Sequence, residues 1–235
     1  MDATKTCIIN LGGSLIVPDK INVDFIKEFR ALILKQIEEN DKRFLFITGG
    51  GRTARRYANA AQLIAHDVED EDKDWLGIHA TRLNAHLIRT IFREYAHPRI
   101  NTNPHDLEDF FQCKKPIMIA AGWRPGFSTD YDTVLLARYL NIKKVVNLSN
   151  IDYVYDKDPK KFPDAKKIEE MSWKEFRKIN TSEWSPGMSA PFDPVAAAYA
   201  EKEDLEAVTL NGANLENLDA YINGEKFEGT LIKNN

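Results

Sequence analysis

Apolar residues along the chain fall into two alternating patterns, short unbroken runs and longer stretches with a period near 3.6. Cys7-Ile8-Ile9-Asn10-Leu11, Phe44-Leu45-Phe46-Ile47, Pro116 to Ala121, Val145-Val146-Asn147-Leu148 and Ala207-Val208-Thr209-Leu210 are the runs. Their length and β-branched or aromatic content predict strands buried on both faces. Between them, Phe25, Ile26, Phe29, Leu32 and Ile33 line one helical face, and the segment from Arg52 to about Ala65 reads as a second helix. After an acidic turn from Val68 to Asp74, the positions Leu76, Ala80, Leu83, Leu87 and Ile91 predict a long amphipathic helix carrying Arg82 and Asn84. Ser128-Thr129-Asp130 supplies N-cap chemistry for a helix through Tyr139, and Asp193-Pro194 opens an alanine-rich helix. Asp152 to Lys161 reads as an ordered loop. Strand, loop and helix repeating in this order predict an α/β fold in three layers, with a mostly parallel central sheet covered on both faces. With no internal repeat and no linker, the 235 residues are expected to form one domain with two lobes.

Composition narrows the function. Hydrophobic residues at 43% and charged residues at 29% suit a globular chain. The 32 Lys and Arg against 36 Asp and Glu give a net charge of −4, which disfavours nucleic acid and anionic membrane as partners and leaves anionic ligands to a local site. No apolar run reaches the roughly 18 residues of a membrane span, and Met1 to Thr6 lack the features of a signal peptide, so the expected location is cytoplasmic. Cys7 and Cys113 sit in no CxxC, and the five histidines form no close ligand pair; neither a disulfide framework nor a resident metal site is expected.

The chemistry concentrates where strands end. Gly12-Gly13-Ser14, Gly49-Gly50-Gly51 and the stretch from Gly122 to Asp130 each follow a strand, and in a parallel sheet all three face one edge. Glycine allows backbone N–H groups close to an anion, and a following helix adds a favourable dipole. Arg52, Arg55 and Arg56 stand within a turn of the second loop. Several such loops on one edge suit a polyphosphate. Neither GxxxxGK[ST], GxGxxG nor GxSxG occurs, which excludes the P-loop, the dinucleotide fingerprint and the hydrolase nucleophile elbow. Asp152, Asp156 and Asp158 lack a calcium-loop register, and Pro159 interrupts them.

In order and in residue detail these segments resemble the amino-acid-kinase superfamily, nearest to its archaeal-type uridylate kinases. The resemblance rests on Leu11-Gly12-Gly13-Ser14-Leu15, Thr48 to Tyr57, Leu76-Gly77-Ile78 with Thr81-Arg82-Leu83-Asn84-Ala85, and Pro125 to Asp130. It continues through Asn150-Ile151-Asp152 with Val154-Tyr155 and Asp158-Pro159, Asp193 to Ala197, and Gly229 to Ile232. The resemblance implies the amino-acid-kinase fold, with an acceptor-binding lobe over about 1–140 and an ATP-binding lobe over about 141–235. It implies that Gly12, Gly13 and Ser14 lie against the ATP phosphates and that Gly51 and Arg55 meet the transferring phosphate. Ser149, Asn150, Tyr155 and Asp158 would then hold the adenosine. UMP would meet Gly50, Asp74 and the stretch Trp123, Arg124, Pro125, Gly126, Phe127, Ser128 and Thr129. The implied reaction is phosphoryl transfer from ATP with Mg²⁺ to UMP, with Asn10 and Arg55 as the catalytic pair, in a homo-oligomer that the family makes a hexamer.

Five positions depart from the family pattern. Asn10 stands where many members have lysine, Tyr153 where glycine is usual, Trp123-Arg124 where small residues are common, and Ala198 where lysine is frequent. Two other readings therefore stay open: a kinase of the same fold with another small acceptor, and a non-catalytic nucleotide or oxyanion store of the molybdenum-storage kind. An isopentenyl phosphate kinase would show a histidine soon after the second glycine loop, and Arg52 to Ala65 has none.

Overall fold

The computed structural model describes residues 4–159, 161–180 and 192–235. In chain order the elements are β1 (Thr6–Leu11), α1 (Gly13–Ile16), α2 (Val23–Asn40), β2 (Arg43–Thr48), α3 (Gly51–Ile64), α4 (Asp70–Ile91), α5 (Glu108–Gln112), β3 (Ile117–Ala120) and α6 (Thr129–Tyr139). They continue with β4 (Lys144–Ser149), β5 (Val154–Tyr155), β6 (Lys167–Ile168), β7 (Glu170–Ser172), α7 (Trp173–Ile179), α8 (Pro194–Lys202), β8 (Glu206–Asn211), α9 (Leu215–Ile222) and β9 (Thr230–Lys233).

Among the described residues seven strands form one sheet in the order β3-β2-β1-β4-β8-β9-β7. The first five run parallel, whereas β9 pairs antiparallel with β8 and carries β7 parallel to itself. The period of two along each strand builds the three layers. Ile9, Leu11, Phe44, Phe46, Ile117, Ile119, Val146 and Leu148 face a core under α2, α4 and α9. Ile8, Leu45, Ile47, Met118, Ala120 and Val145 face the opposite core under α6, α7 and α8. On the first side Phe29 meets Phe46 with ring centroids 5.3 Å apart; on the second, Trp173 meets Phe192 at 5.4 Å and donates its indole N–H to the Leu205 carbonyl. The three-layer α/β expectation holds.

Local readings differ in three places. The acidic turn from Val68 to Asp74 is largely the first turn of α4, because Asp70, Glu71 and Asp72 favour the positive end of the helix dipole. The Asp152 to Lys161 loop contains β5, which pairs with β6 as a small separate hairpin. The segment after it adds β7 and α7, whose start is a reciprocal capping box between Ser172 and Glu175.

Candidate active site

The site is built where the chain changes direction. From β1 the sheet grows through β2 to β3, and the chain then returns to place β4 on the other flank of β1. The carboxyl ends of β1 and β4 are thus the point where the strand order reverses, the usual ligand position in such sheets. Gly12, Gly49, Ala121, Asn150 and Gly212 directly follow β1, β2, β3, β4 and β8.

Backbone packing at this edge explains the glycines. A Cβ on Gly13 would stand 2.1 Å from the Gly51 nitrogen, and one on Gly49 would stand 2.5 Å from the Gly13 nitrogen. The first two loops thus touch main chain to main chain, and Gly51 adopts φ +64. Two of the glycine N–H groups do not face a ligand: Gly12 donates to the Leu148 carbonyl at 2.8 Å and Gly49 to the Leu11 carbonyl at 3.0 Å. Their contribution is close approach, while Gly13 and Ser14 open α1, where no intrahelical acceptor exists.

Asn10, at the end of β1, is buried and donates to Asp130 Oδ1 at 2.5 Å; its own Oδ1 has no hydrogen-bond partner. Asn147 on β4 lies 3.5 Å from the same amide. Asp130 Oδ2 in turn accepts the Asp193 N–H at 2.7 Å, and Asp193 Oδ1 caps α8 by accepting from Val195 and Ala196. Asp130 keeps some exposed surface, yet its carboxyl is enclosed. Burial pushes it up to about 7, the nearby Asp193 charge adds to this, and the Asp193 and Asn10 N–H groups draw it back. Residues from β1, β4, α6 and the cap of α8 therefore converge at this edge.

The loop from β3 to α6 is held from α4. Thr81 Oγ1 accepts the Gly122 N–H at 2.9 Å, and Arg82 donates to the Gly122 and Trp123 carbonyls at 3.2 and 3.0 Å. Asn84 donates to the Gly49 carbonyl at 2.7 Å, so one helix face ties two loops together. Asp74 accepts the Gly126 N–H at 2.7 Å; burial raises its carboxyl and this bond opposes the rise. Gly126 takes φ +85, and Ser128 caps α6 by accepting from Tyr131. Trp123 and Phe127 lie 5.2 Å apart, with the Arg124 guanidinium 4.1 Å from the Trp123 ring. Pro125 and Thr129 are half-buried in the same loop.

Of the three arginines after the second loop, Arg52 and Arg56 pair with Asp19, at 3.5 and 2.6 Å. Arg55 is exposed and, among the described residues, makes no hydrogen bond or ion pair. Gly50 caps α3, and a Cβ on it would stand 2.7 Å from Ala54 Cβ. On the β4 side, Ser149 Oγ accepts from Ile151 at 3.4 Å, and Asn150 is exposed beside it. Tyr155 is half-buried on β5, and Asp158 is exposed near Lys161 at 3.8 Å. Tyr153 is buried with Lys167 4.6 Å from its ring centroid. Its backbone φ is not positive, so nothing there demands glycine.

The model of the amino acid kinase family matches residues 5–211. The chain belongs to the amino acid kinase family. Among similar members, the uridylate kinase of Thermococcus sibiricus is 37% identical over 227 residues, covering 96% of this chain and 98% of that protein. The uridylate kinase of Pyrococcus abyssi is 34% identical with the same coverage. The solved uridylate kinase of Archaeoglobus fulgidus superposes with a TM-score of 0.80 at 26% identity, covering 97% of this chain and 99% of that one.

Within this family reading, Asp130, Asp193 and Asn147 were not singled out as site residues by the sequence. Ser128-Thr129-Asp130 read as capping chemistry, but Ser128 alone supplies the cap. A second acidic side chain two residues past a satisfied cap was the available signal.

Proposed function

We propose that the protein is a nucleoside monophosphate kinase that transfers the γ-phosphoryl group of ATP to UMP, giving UDP and ADP. The observation that carries this reading is the glycine-loop edge with its Asn10–Asp130–Asp193 cluster at the carboxyl ends of β1 and β4, in a chain alignable almost end to end with uridylate kinases. Phosphoryl transfer asks for in-line positioning and for donors against the spreading charge, with no obligatory general base, because a UMP phosphate oxygen is already anionic.

The nucleotide is taken as its magnesium complex. The ion would arrive on the phosphates and neutralise their charge. Asn10 keeps one amide hydrogen on Asp130 and turns the other, held only loosely by Asn147 at 3.5 Å, toward the transferring group, while the unpartnered Arg55 supplies the positive charge that an amide lacks. Gly13, Ser14 and Gly51 line the phosphate path, with Gly12 allowing it room. Ser149, Asn150, Tyr155 and Asp158 hold adenosine from the 141–235 lobe. Gly50, Asp74 and residues 123–129 hold UMP in the 1–140 lobe. The site of action is the cytoplasm, and the working form is a homo-oligomer.

Coupled ADP release with a panel of nucleoside monophosphates tests the reading. UMP should give a higher kcat/KM than CMP, AMP or GMP. Preference for another monophosphate would favour the altered-acceptor alternative, and ATP binding without turnover on any of them would favour storage.

A further inference from the structure

Asp132 stands at the end of the first turn of α6 with 1% of its surface exposed, followed by buried Thr133, Val134, Leu135 and Leu136. One carboxyl oxygen, Oδ2, accepts the Trp123 N–H at 3.1 Å, and Oδ1 has no partner. A buried carboxyl group with one oxygen unpartnered carries a desolvation cost, which its place near the positive end of the α6 dipole and the nearby Arg82 charge offset only in part. The group must therefore be explained by what it holds.

What it holds is the root of the loop between β3 and α6. The Gly122 N–H goes to Thr81, and the Gly122 and Trp123 carbonyls go to Arg82. The Trp123 N–H is the remaining polar backbone group of this pair, and Asp132 takes it. From this pinned pair project the Trp123 ring, which meets His105 edge-on at 4.9 Å, and the Arg124 guanidinium stacked over it. We propose that Asp132 is a positioning residue for the acceptor nucleotide, fixing Trp123 and Arg124 through the Trp123 N–H so that the acceptor meets a preformed loop. The inference rests on the reading of residues 123–129 as the acceptor loop. Burial pushes the Asp132 carboxyl up to about 7, with Arg82 drawing it back, and either protonation state leaves an oxygen able to accept from Trp123. The arrangement places a stability-lowering group where it preorganises a site, the usual direction of that trade.

The test compares Asp132→Val and Asp132→Asn in the full chain, measuring KM for UMP, KM for ATP, kcat and the melting temperature. Asp132→Asn retains an oxygen for the Trp123 N–H and should keep KM for UMP within about twofold of wild type. Asp132→Val should raise KM for UMP by roughly tenfold, the scale of one lost hydrogen bond and a loosened loop, with KM for ATP within about twofold. Its melting temperature should not fall, which a residue serving only the fold would not allow. The proposal is overturned if Asp132→Val leaves KM for UMP unchanged, raises both KM values together, or is too unstable to purify. A wild type that phosphorylates no monophosphate overturns the acceptor-loop reading instead, and is seen before any variant is made.

Discussion

Asn10 shows how little a single position reveals until its neighbours are known. As a sequence letter it is a neutral residue at the end of an apolar run; in the fold its amide donates to Asp130, 120 residues away. No local pattern could have paired them, because only the return of the chain from β3 to β4 brings α6 over the end of β1. Arg55→Ala should lower kcat/KM by roughly 10²-fold, the cost of one preorganised donor to a developing charge, and an unchanged rate would return Arg55 to the exposed surface of α3. Asn10→Ala should slow turnover about tenfold with ATP affinity nearly unchanged, since a neutral donor contributes less than a charged one. Because the Asn10 bond draws the Asp130 carboxyl down, its loss should also move the acidic limb of the pH–rate profile upward. The raised Asp132 carboxyl bears on stability as well. Asp132 is near 3.8 when unfolded and about 7 when folded, so its favourable contribution is complete below the lower value and is lost as pH rises through the upper one. Asp132→Asn should differ least from wild type below about pH 4 and become progressively more stable than wild type up to about pH 7, where the gain levels off. Thermal melts across that range check this, and a pH-independent difference would contradict it.

Elements were legible where hydrophobic pattern and punctuation agreed. The five parallel strands are short apolar runs closed by Gly, Ala, Ser or Asn, and the helices between them carry one-sided apolar faces. The later segments were harder to read. β7 is three residues long, β9 four, and their pairing depends on a partner strand running antiparallel to the rest of the sheet. The Ser172 and Glu175 capping box that starts α7 was nonetheless present as a sequence signal. Glycines illustrate the same division between what a motif suggests and what packing requires. Gly13 touches the backbone of the second loop, so Gly13→Ala must force β1 and α3 apart and should lower stability by several kcal/mol together with activity, on the scale of overpacking. Gly77 lies inside α4, and a Cβ there meets nothing within 4 Å. Gly77→Ala should stabilise by about 0.5–1 kcal/mol, the ordinary helix gain. Denaturant unfolding of the two variants separates these cases, and similar behaviour would mean that the loops can move apart freely.

At the scale of the whole molecule the fold buries two cores but leaves one helix without a role in either. α3 has fourteen residues and none of them is buried, although its apolar side chains gather on one face. Tyr57, Leu63 and Ile64 are 62%, 77% and 83% exposed, and Leu83 on the neighbouring α4 is 64% exposed. An isolated helix of this length is marginal in water, and its packing within the chain is mainly on α4. Large apolar side chains this exposed on one helix and its neighbour point to an interaction site. A second copy of the chain is the occupant that the homo-oligomer reading supplies, and such self-contact is usually closed and two-fold. The consequence for the site is direct, because α3 begins at Gly51 and carries Arg55. A partner packed on the exposed face would hold the helix whose first turn lies against the Gly13 loop. Sedimentation velocity should therefore show a species heavier than the 26.9 kDa chain. Leu63→Glu with Ile64→Lys should shift it toward the monomer and reduce activity at low protein concentration, with recovery as concentration rises. A wild type that sediments as a monomer at all concentrations, or a double variant that dissociates without any loss of rate, would separate assembly from catalysis and leave α3 stable on its contacts with α4 alone.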